Sequence, residues 1–454
     1  MRTDLVVIGA GPAGLAAALA ADARGTRVAV LDAGPAPGGQ IHRQPPAGAD
    51  TAAATAPPHV RRTWRSLAAA LAASTVTVLT EHHVWCVEPG FTVHALCGPG
   101  QDEPVAVRAA AVLLATGGYE KVLPFPGWTL PGVLTAGGAQ ALLKGALTAP
   151  GQRAVVAGTG PLLLPVATAL AAAGTEVAAL VESAGPTALL RHGPALAAKA
   201  PEGAWHAARL LRHRVPVLTR HTVVRAHGSA ALTGVTVAAL DRAGHVRPGS
   251  ERLLHCDTLA VGHGMLPHTD LAGSLGCPLD GSAVRVDAEQ RTGVPGVWAA
   301  GEATGVGGAA LALAEGHIAG RSAAARLRGA APDPAGWSAA ARARRTLRAG
   351  AAALDAVFAP PAGWARQVTD DTVVCRCEDV TAGAVREAVD RLGAEDLRTV
   401  KLLTRAGMGW CQGRMCHPGI AGLTGCPPVP PRALPARPVP LGVLARQATE
   451  EGTA

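Results

Sequence analysis

The sequence predicts an α/β protein with two Rossmann-like nucleotide-binding domains and a small helical domain after them, and three stretches carry that prediction. Residues 4–34, "DLVVIGAGPAGLAAALAADARGTRVAVLDAG", run as apolar strand, glycine turn, alanine-rich helix and apolar strand. Residues 153–183, "RAVVAGTGPLLLPVATALAAAGTEVAALVES", repeat that order. Near the C-terminus, "VVCRCEDV" and "GWCQGRMC" gather four of the nine cysteines. A chain of 454 residues is long enough for two or three domains with a core each.

Composition narrows the function classes. The formal charge is +8, but runs such as "RLLRHR" and "RARRTLR" read as solvated helix faces. With 3% aromatics, no reader motif and no basic arm, nucleic acid is not an expected partner. The most apolar stretch, "PLLLPVATALAAAGTEVAALV", is broken by Gly174 and Glu176 into pieces too short to span a bilayer. The chain opens almost directly in a strand, with no room for a signal peptide, so a cytoplasmic location is expected, with any contact at the inner face of the membrane peripheral. Nine cysteines in a reducing compartment are not a disulfide framework; Cys86, Cys97, Cys256, Cys277 and Cys426 stand singly and read as small core or surface residues.

The first strand-turn-helix has the spacing of a dinucleotide fingerprint. Gly9 makes the tight turn, Gly11 lets the backbone approach a pyrophosphate, and Gly14 lets helix and strand pack closely, with Pro12 and Ala13 between them. The helix N-terminus then faces the phosphates, and Asp32, ending the next strand, is placed for a ribose hydroxyl. These residues do not choose between FAD and NAD. Three further stretches do: "PAPGGQIHRQ", "AAVLLATGGYEKVLPFPG" and "RTGVPGVWAAGEATG". Their order resembles the flavoprotein family with two dinucleotide-binding domains, related to glutathione reductase. That resemblance implies FAD held by Gly9, Gly11, Pro12, Ala13, Gly14, Asp32, Gly39, Gln40, Gly301 and Glu302, with Thr116 and Gly117 at the crossing between nucleotide domains. Where the family ends its last motif in Gly-Asp, this chain has Gly301-Glu302, one methylene longer.

The second fingerprint keeps Gly158 and Gly160 and ends its next strand in Glu182, but Leu163 replaces the third glycine. A bulky side chain there spoils the helix-strand packing and speaks against a standard NAD(P)H site; another adenine nucleotide or an empty structural domain remain open. No C-x-x-C pair occurs, against a dithiol reductase.

In the C-terminal stretch, Thr381 is placed to cap a helix with Val385, Ala388, Val389 and Leu392 on one face and Gly393 at its end, which leaves the cysteines on loops around it. Four thiolates suit zinc or an iron-sulfur cluster. The C-x-C and C-x4-C spacing, with "CRCEDVT" and "LLTRAGMGWCQGRMC", resembles the [2Fe-2S] domain of the bacterioferritin-associated ferredoxin type, which implies ligation by Cys375, Cys377, Cys411 and Cys416. His417 reads as a solvated neighbour.

Together with "FPGWTLPGVLTAGGAQALLK", these features resemble the large FAD-containing subunit of opine oxidases, hydrogen cyanide synthase and dye-linked proline or hydroxyproline dehydrogenases. The resemblance implies an α-type subunit of an amine or imino-acid dehydrogenase. It also implies a second flavoprotein subunit resembling D-amino-acid oxidase, and a one-electron acceptor, a quinone or ferredoxin-like carrier. The alternatives are a self-contained NAD(P)H-dependent reductase and a non-catalytic electron-transfer subunit. His263, His268, Glu315, His317, Tyr119 and Glu120 are candidates for acid-base work, but none forms a spacing that demands chemistry, so catalytic residues stay unassigned. The expected organisation is an FAD domain at 1–150 and 255–325, a nucleotide-like domain at 151–254, a helical connector at 326–369, the iron-sulfur domain at 370–425 and a proline-rich extended arm at 426–454.

Overall fold

A computed structural model describes residues 1–45, 56–427 and 435–451. Its first sheet is five-stranded, with Leu5–Ile8 at the centre, Val28–Leu31 and Thr77–Leu79 on one side and Ala111–Leu114 and Val297–Ala299 on the other, all parallel. The four-residue strands Leu5–Ile8, Val28–Leu31 and Ala111–Leu114 are buried throughout, as continuous apolar runs in a doubly covered parallel sheet should be. Helix Pro12–Asp22 covers one face, and helix Ala309–Leu327 packs against it backbone to backbone. Glycines make that approach possible: a Cβ on Gly316 would lie 2.1 Å from the Ala13 carbonyl oxygen, and one on Gly320 would lie 2.1 Å from that of Ala17. The contact brings the 301–304 turn beside the first glycine turn.

The second sheet is also five-stranded, in the order Val217–Thr219, Glu176–Glu182, Arg153–Gly158, Thr258–Gly262, Val133–Thr135. Two of its strands, at 133–135 and 258–262, come from outside the 151–254 segment expected to hold that domain. A two-stranded antiparallel ribbon, Gly118–Glu120 with Met265–Pro267, forms the crossing between the nucleotide folds.

Helix Ser338–Val357 follows. Its "RARRTLR" run is solvated at Arg342 and Arg345, as expected, while Arg344 and Arg348 point inward to Glu315, at 3.7 and 2.6 Å. A fully buried carboxylate needs a partner, and the arginines supply it.

The C-terminal domain has its own core of Val374, Val385, Leu397, Val400 and Ile420. Thr381 caps helix Ala382–Asp390, accepting from Ala384 N at 3.3 Å, while Leu392 lies beyond the helix and is exposed. Helices Leu397–Thr404 and His417–Thr424 complete it. It is docked firmly on the rest of the chain: Trp128 Nε1 donates to Val373 O at 2.6 Å, Arg376 stacks over the Trp128 ring, and Gly419 meets Pro124. Residues 428–434 of the expected arm lie outside the described residues. At Ala436 the tail is pinned to the strand His82–Val87, where Ala436 N donates to Trp85 O at 2.9 Å. Beyond it the chain forms a helix, Leu441–Glu451, where an extended arm was expected. Among the described residues, no helix is long and apolar enough to cross a membrane.

Candidate redox site

At the first turn the glycines are sterically required. Gly9 has φ +107°, and a Cβ there would lie 2.3 Å from the Ala115 carbonyl oxygen; one on Gly14 would lie 1.8 Å from that of Gly9. Above Gly11 the space is open: a Cβ there would meet nothing nearer than Gly39 Cα at 3.9 Å. Helix Pro12–Asp22 starts at Gly11 with no side-chain cap among the described residues, which leaves its first N–H groups for a ligand. A pyrophosphate fits such a cradle. Asp32 accepts from Ala10 N at 2.5 Å and Gly34 N at 2.7 Å, which fixes its carboxylate at the rim with lone pairs left over.

The other residues read as cofactor contacts fall in two groups. Gly301, with φ +74°, is pressed on Ala13, and Glu302 lies beside Gly118 of the crossing ribbon. Burial raises the Glu302 carboxyl, and no donor reaches it among the described residues, the state expected of a group awaiting a ligand hydroxyl. Gly39 packs on Gly11, whereas the exposed Gln40 side chain accepts from Arg43 at 2.7 Å. Thr116 donates its hydroxyl to His268 O at 2.6 Å, and Gly117 O accepts from His268 N at 3.0 Å, so this pair is bound into the crossing.

The candidate acid-base residues are largely committed. Glu315 accepts from Gly301 N, Thr304 and Arg348, and so is scaffold for the 301–304 turn. His268 Nε2 lies 2.8 Å from Asp270, whose carboxylate also takes Arg414 Nε at 3.0 Å. Burial alone would raise Asp270, but His268 and Arg414 outweigh it and hold the carboxyl below its ordinary value. Burial raises Glu120, though less than it would without the N–H groups of Gly137 and Gly138. Burial also raises Tyr119, and it pushes His263 down to about 4 and lowers His317. Asp270, Arg348 and Arg414 escaped sequence reasoning: their partners are distant in the chain and no spacing announces them.

The second turn repeats the first with a change. Gly158, at φ +128°, is held against Gly262, while Leu163 is buried at the helix start. Glu182 accepts from Gly160 N at 3.1 Å and Ala184 N at 2.8 Å, its carboxyl pushed up by burial to about 7. Thr159 donates to Phe358 O at 3.3 Å, so the end of the connector lies against this turn.

The four cysteines converge from two loops. Cys375 ends the strand Val373–Cys375 and Cys416 precedes helix His417–Thr424; both are buried, while Cys377 and Cys411 lie nearer the surface. The sulfurs meet two by two. Cys377 and Cys411 stand 3.8 Å apart, about the edge of a tetrahedron of 2.3 Å metal–sulfur bonds. Cys416 is raised strongly by burial and by the Cys375 and Cys411 thiols beside it. A backbone N–H of Cys411 favours the Cys377 thiolate, but burial and the neighbouring thiols prevail and raise it. Crowded thiols of this kind are what a bound cation relieves. Among the described residues no three His, Cys, Asp or Glu side chains are placed to hold a single metal ion. His417 is not solvated: its ring is wedged against Gly407 and Gly413, and burial lowers its pKa.

Fold and site together define a flavoprotein oxidoreductase with two dinucleotide folds and an appended [2Fe-2S] domain. The pyridine nucleotide-disulphide oxidoreductase model matches residues 3–323, and the BFD-like [2Fe-2S] binding domain model matches residues 373–423. The opine oxidase A-subunit of Agrobacterium tumefaciens is 36% identical over 91% of this chain and 84% of its own. Hydrogen cyanide synthase subunit HcnB of Pseudomonas aeruginosa is 33% identical over 92% and 91%. The chain belongs to the pyridine nucleotide-disulphide oxidoreductase family and, within it, to the family of these subunits. The crystal structure of L-proline dehydrogenase from P. horikoshii shares the fold, with a TM-score of 0.67 at 20% identity over 98% of this chain and 80% of that one. FAD and a [2Fe-2S] cluster are the cofactors of this enzyme class, and the cradle and the cysteine loops fit them.

Proposed function

We propose that this chain is the FAD- and cluster-bearing subunit of an amine or imino-acid dehydrogenase, acting on an opine-, proline-, hydroxyproline- or glycine-like substrate. FAD supplies a two-electron store and the [2Fe-2S] cluster takes electrons one at a time, so a chain with both converts a two-electron oxidation into one-electron traffic. The observation that carries the reading is the docking of the cysteine loops at the junction of the two nucleotide folds, on Trp128 and Pro124 at the second and on Asp270 at the first. In this reading Gly9, Gly11, Pro12, Ala13, Gly14 and Gly39 cradle the pyrophosphate, Asp32 binds the ribose and Glu302 the ribityl chain. Thr116, Gly117 and Gly301 shape the flavin's bed, and Cys375, Cys377, Cys411 and Cys416 hold the cluster. Gln40 is a looser candidate, since its carbonyl is taken by Arg43.

Substrate oxidation itself falls to a second flavoprotein subunit resembling D-amino-acid oxidase, because His268 and Glu315 are already engaged in ion pairs. The names of the relatives, each one part of a larger enzyme, support a hetero-oligomer. The electrons leave to a quinone or ferredoxin-like carrier, and the chain works in the cytoplasm or at its membrane face. Co-expression with the candidate partner tests this. The expected result is a co-purifying complex that reduces a one-electron dye with an imino or amino acid while the chain alone does not; amine turnover by the chain alone would contradict it.

A further inference from the structure

Arg414 lies between two of the four cysteines, yet its side chain leaves the loop. Nε reaches Asp270 at 3.0 Å, Nη1 donates to Cys411 O at 3.2 Å and Nη2 to Ala436 O at 2.7 Å, so one guanidinium ties the flavin fold, the cysteine loop and the tail together. Both members of the ion pair are largely buried, the side chains being 18% and 8% exposed. Asp270 is held in turn by His268 Nε2 at 2.8 Å. The backbone of His268 is bonded on both sides to the crossing, to Gly117 O through its N–H and to the Thr116 hydroxyl through its carbonyl. Tyr119, the chain's single tyrosine, meets the His268 ring edge-on at 6.1 Å and lies within electrostatic reach of Asp270, Arg414 and Cys411. A continuous chain of bonds therefore joins Thr116 and Gly117 to Cys411 through His268, Asp270 and Arg414.

We propose that Arg414 is a positioning residue which, through Asp270 and His268, holds the cluster loop against the crossing ribbon and so sets how fast electrons pass from flavin to cluster. The proposal rests on the reading of the chain as a flavin-cluster converter. In each transfer one electron moves from the reduced flavin to the oxidised cluster. Two transfers restore the oxidised flavin, whose protons go to solvent, and each electron leaves the cluster for the one-electron acceptor. Arginine suits the role because its planar fork serves three acceptors at once, which the single ammonium of lysine cannot do in the same geometry.

The test uses the full chain loaded with FAD and cluster. Flavin is reduced by a laser flash, and bleaching of the cluster is followed in Arg414→Gln, Arg414→Lys, Asp270→Asn and the Arg414→Gln/Asp270→Asn double variant. The expected result is transfer slowed by about tenfold or more in Arg414→Gln and Asp270→Asn, because small misplacements of reacting groups are costly. Arg414→Lys should recover part of the rate. The double variant should be no slower than the slower single one, because the two residues act as one unit. Flavin, iron and sulfide contents should stay at wild-type levels; if Arg414→Gln loses iron, Asp270→Asn, which lies outside the cysteine loops, decides. Wild-type rates in loaded Arg414→Gln or Asp270→Asn would overturn the proposal. No transfer in the wild-type chain would overturn the converter reading instead.

Discussion

Glu302, partly buried in the 301–304 turn, and Glu315, buried in the helix Ala309–Leu327, take opposite roles. Glu315, fully buried, is met by Arg348, Thr304 and a backbone N–H, and its charge is spent inside the protein. Glu302 has no donor among the described residues, and burial raises its carboxyl. A hydrogen bond from a ribityl hydroxyl to this carboxylate would be worth about 1.5–3 kcal/mol, as for a charged acceptor. Glu302→Gln should therefore fold normally and lose FAD more readily, with affinity weakened roughly tenfold, as for a charge-assisted hydrogen bond. Flavin retained per chain on dialysis checks this; unchanged retention would remove Glu302 from the site. The "GEATG" motif made Glu302 readable from sequence, whereas nothing local distinguished Glu315, whose partner is 33 residues away.

At the scale of elements, the two glycine turns are variations on one plan. Each strand after the turn ends in a carboxylate that accepts backbone N–H groups, and the longer Glu182 reaches Gly160 where Asp32 reaches Ala10. Glu182 is an acid with its folded pKa pushed up to about 7 from an ordinary 4.5. The folded state then binds the proton more tightly than the unfolded chain, so this group's contribution is greatest below 4.5, declines as pH rises to about 7 and is flat beyond. The slope in that window is about 1.4 kcal/mol per pH unit at most. Unfolding midpoints at pH 5 and pH 8 should fall less between those values in Glu182→Gln than in the natural chain; equal falls would show that Glu182 is not the group responsible. The strands and glycine turns were legible because apolar runs and fixed glycine spacings are local signals. The helices Leu397–Thr404 and Leu441–Glu451 were not, being short or masked by flanking prolines, and only Leu397 and Val400 are buried in the former. Nor could any local pattern show that strands 133–135 and 258–262 join the second sheet, or that Arg414 reaches Asp270 144 residues away.

At the scale of the whole molecule, the cysteine domain packs across the two nucleotide folds, on the second at Trp128 and on the first at Asp270. Trp128 of the "FPGW" stretch binds Val373 next to the first cysteine pair, Arg376 stacks on the same ring, and Arg414 ties the second pair to Asp270. This arrangement places the cysteine loops beside the crossing ribbon, where the proposed converter would need them. Flavin, iron and acid-labile sulfide, measured together on anaerobically purified protein and on Cys375→Ser and Cys411→Ser, test that account most directly. It predicts one FAD with about two irons and two sulfides per chain, the composition of a [2Fe-2S] flavoprotein, and variants that lose iron and sulfide but keep flavin. FAD without iron, or zinc in place of iron and sulfide, would contradict it.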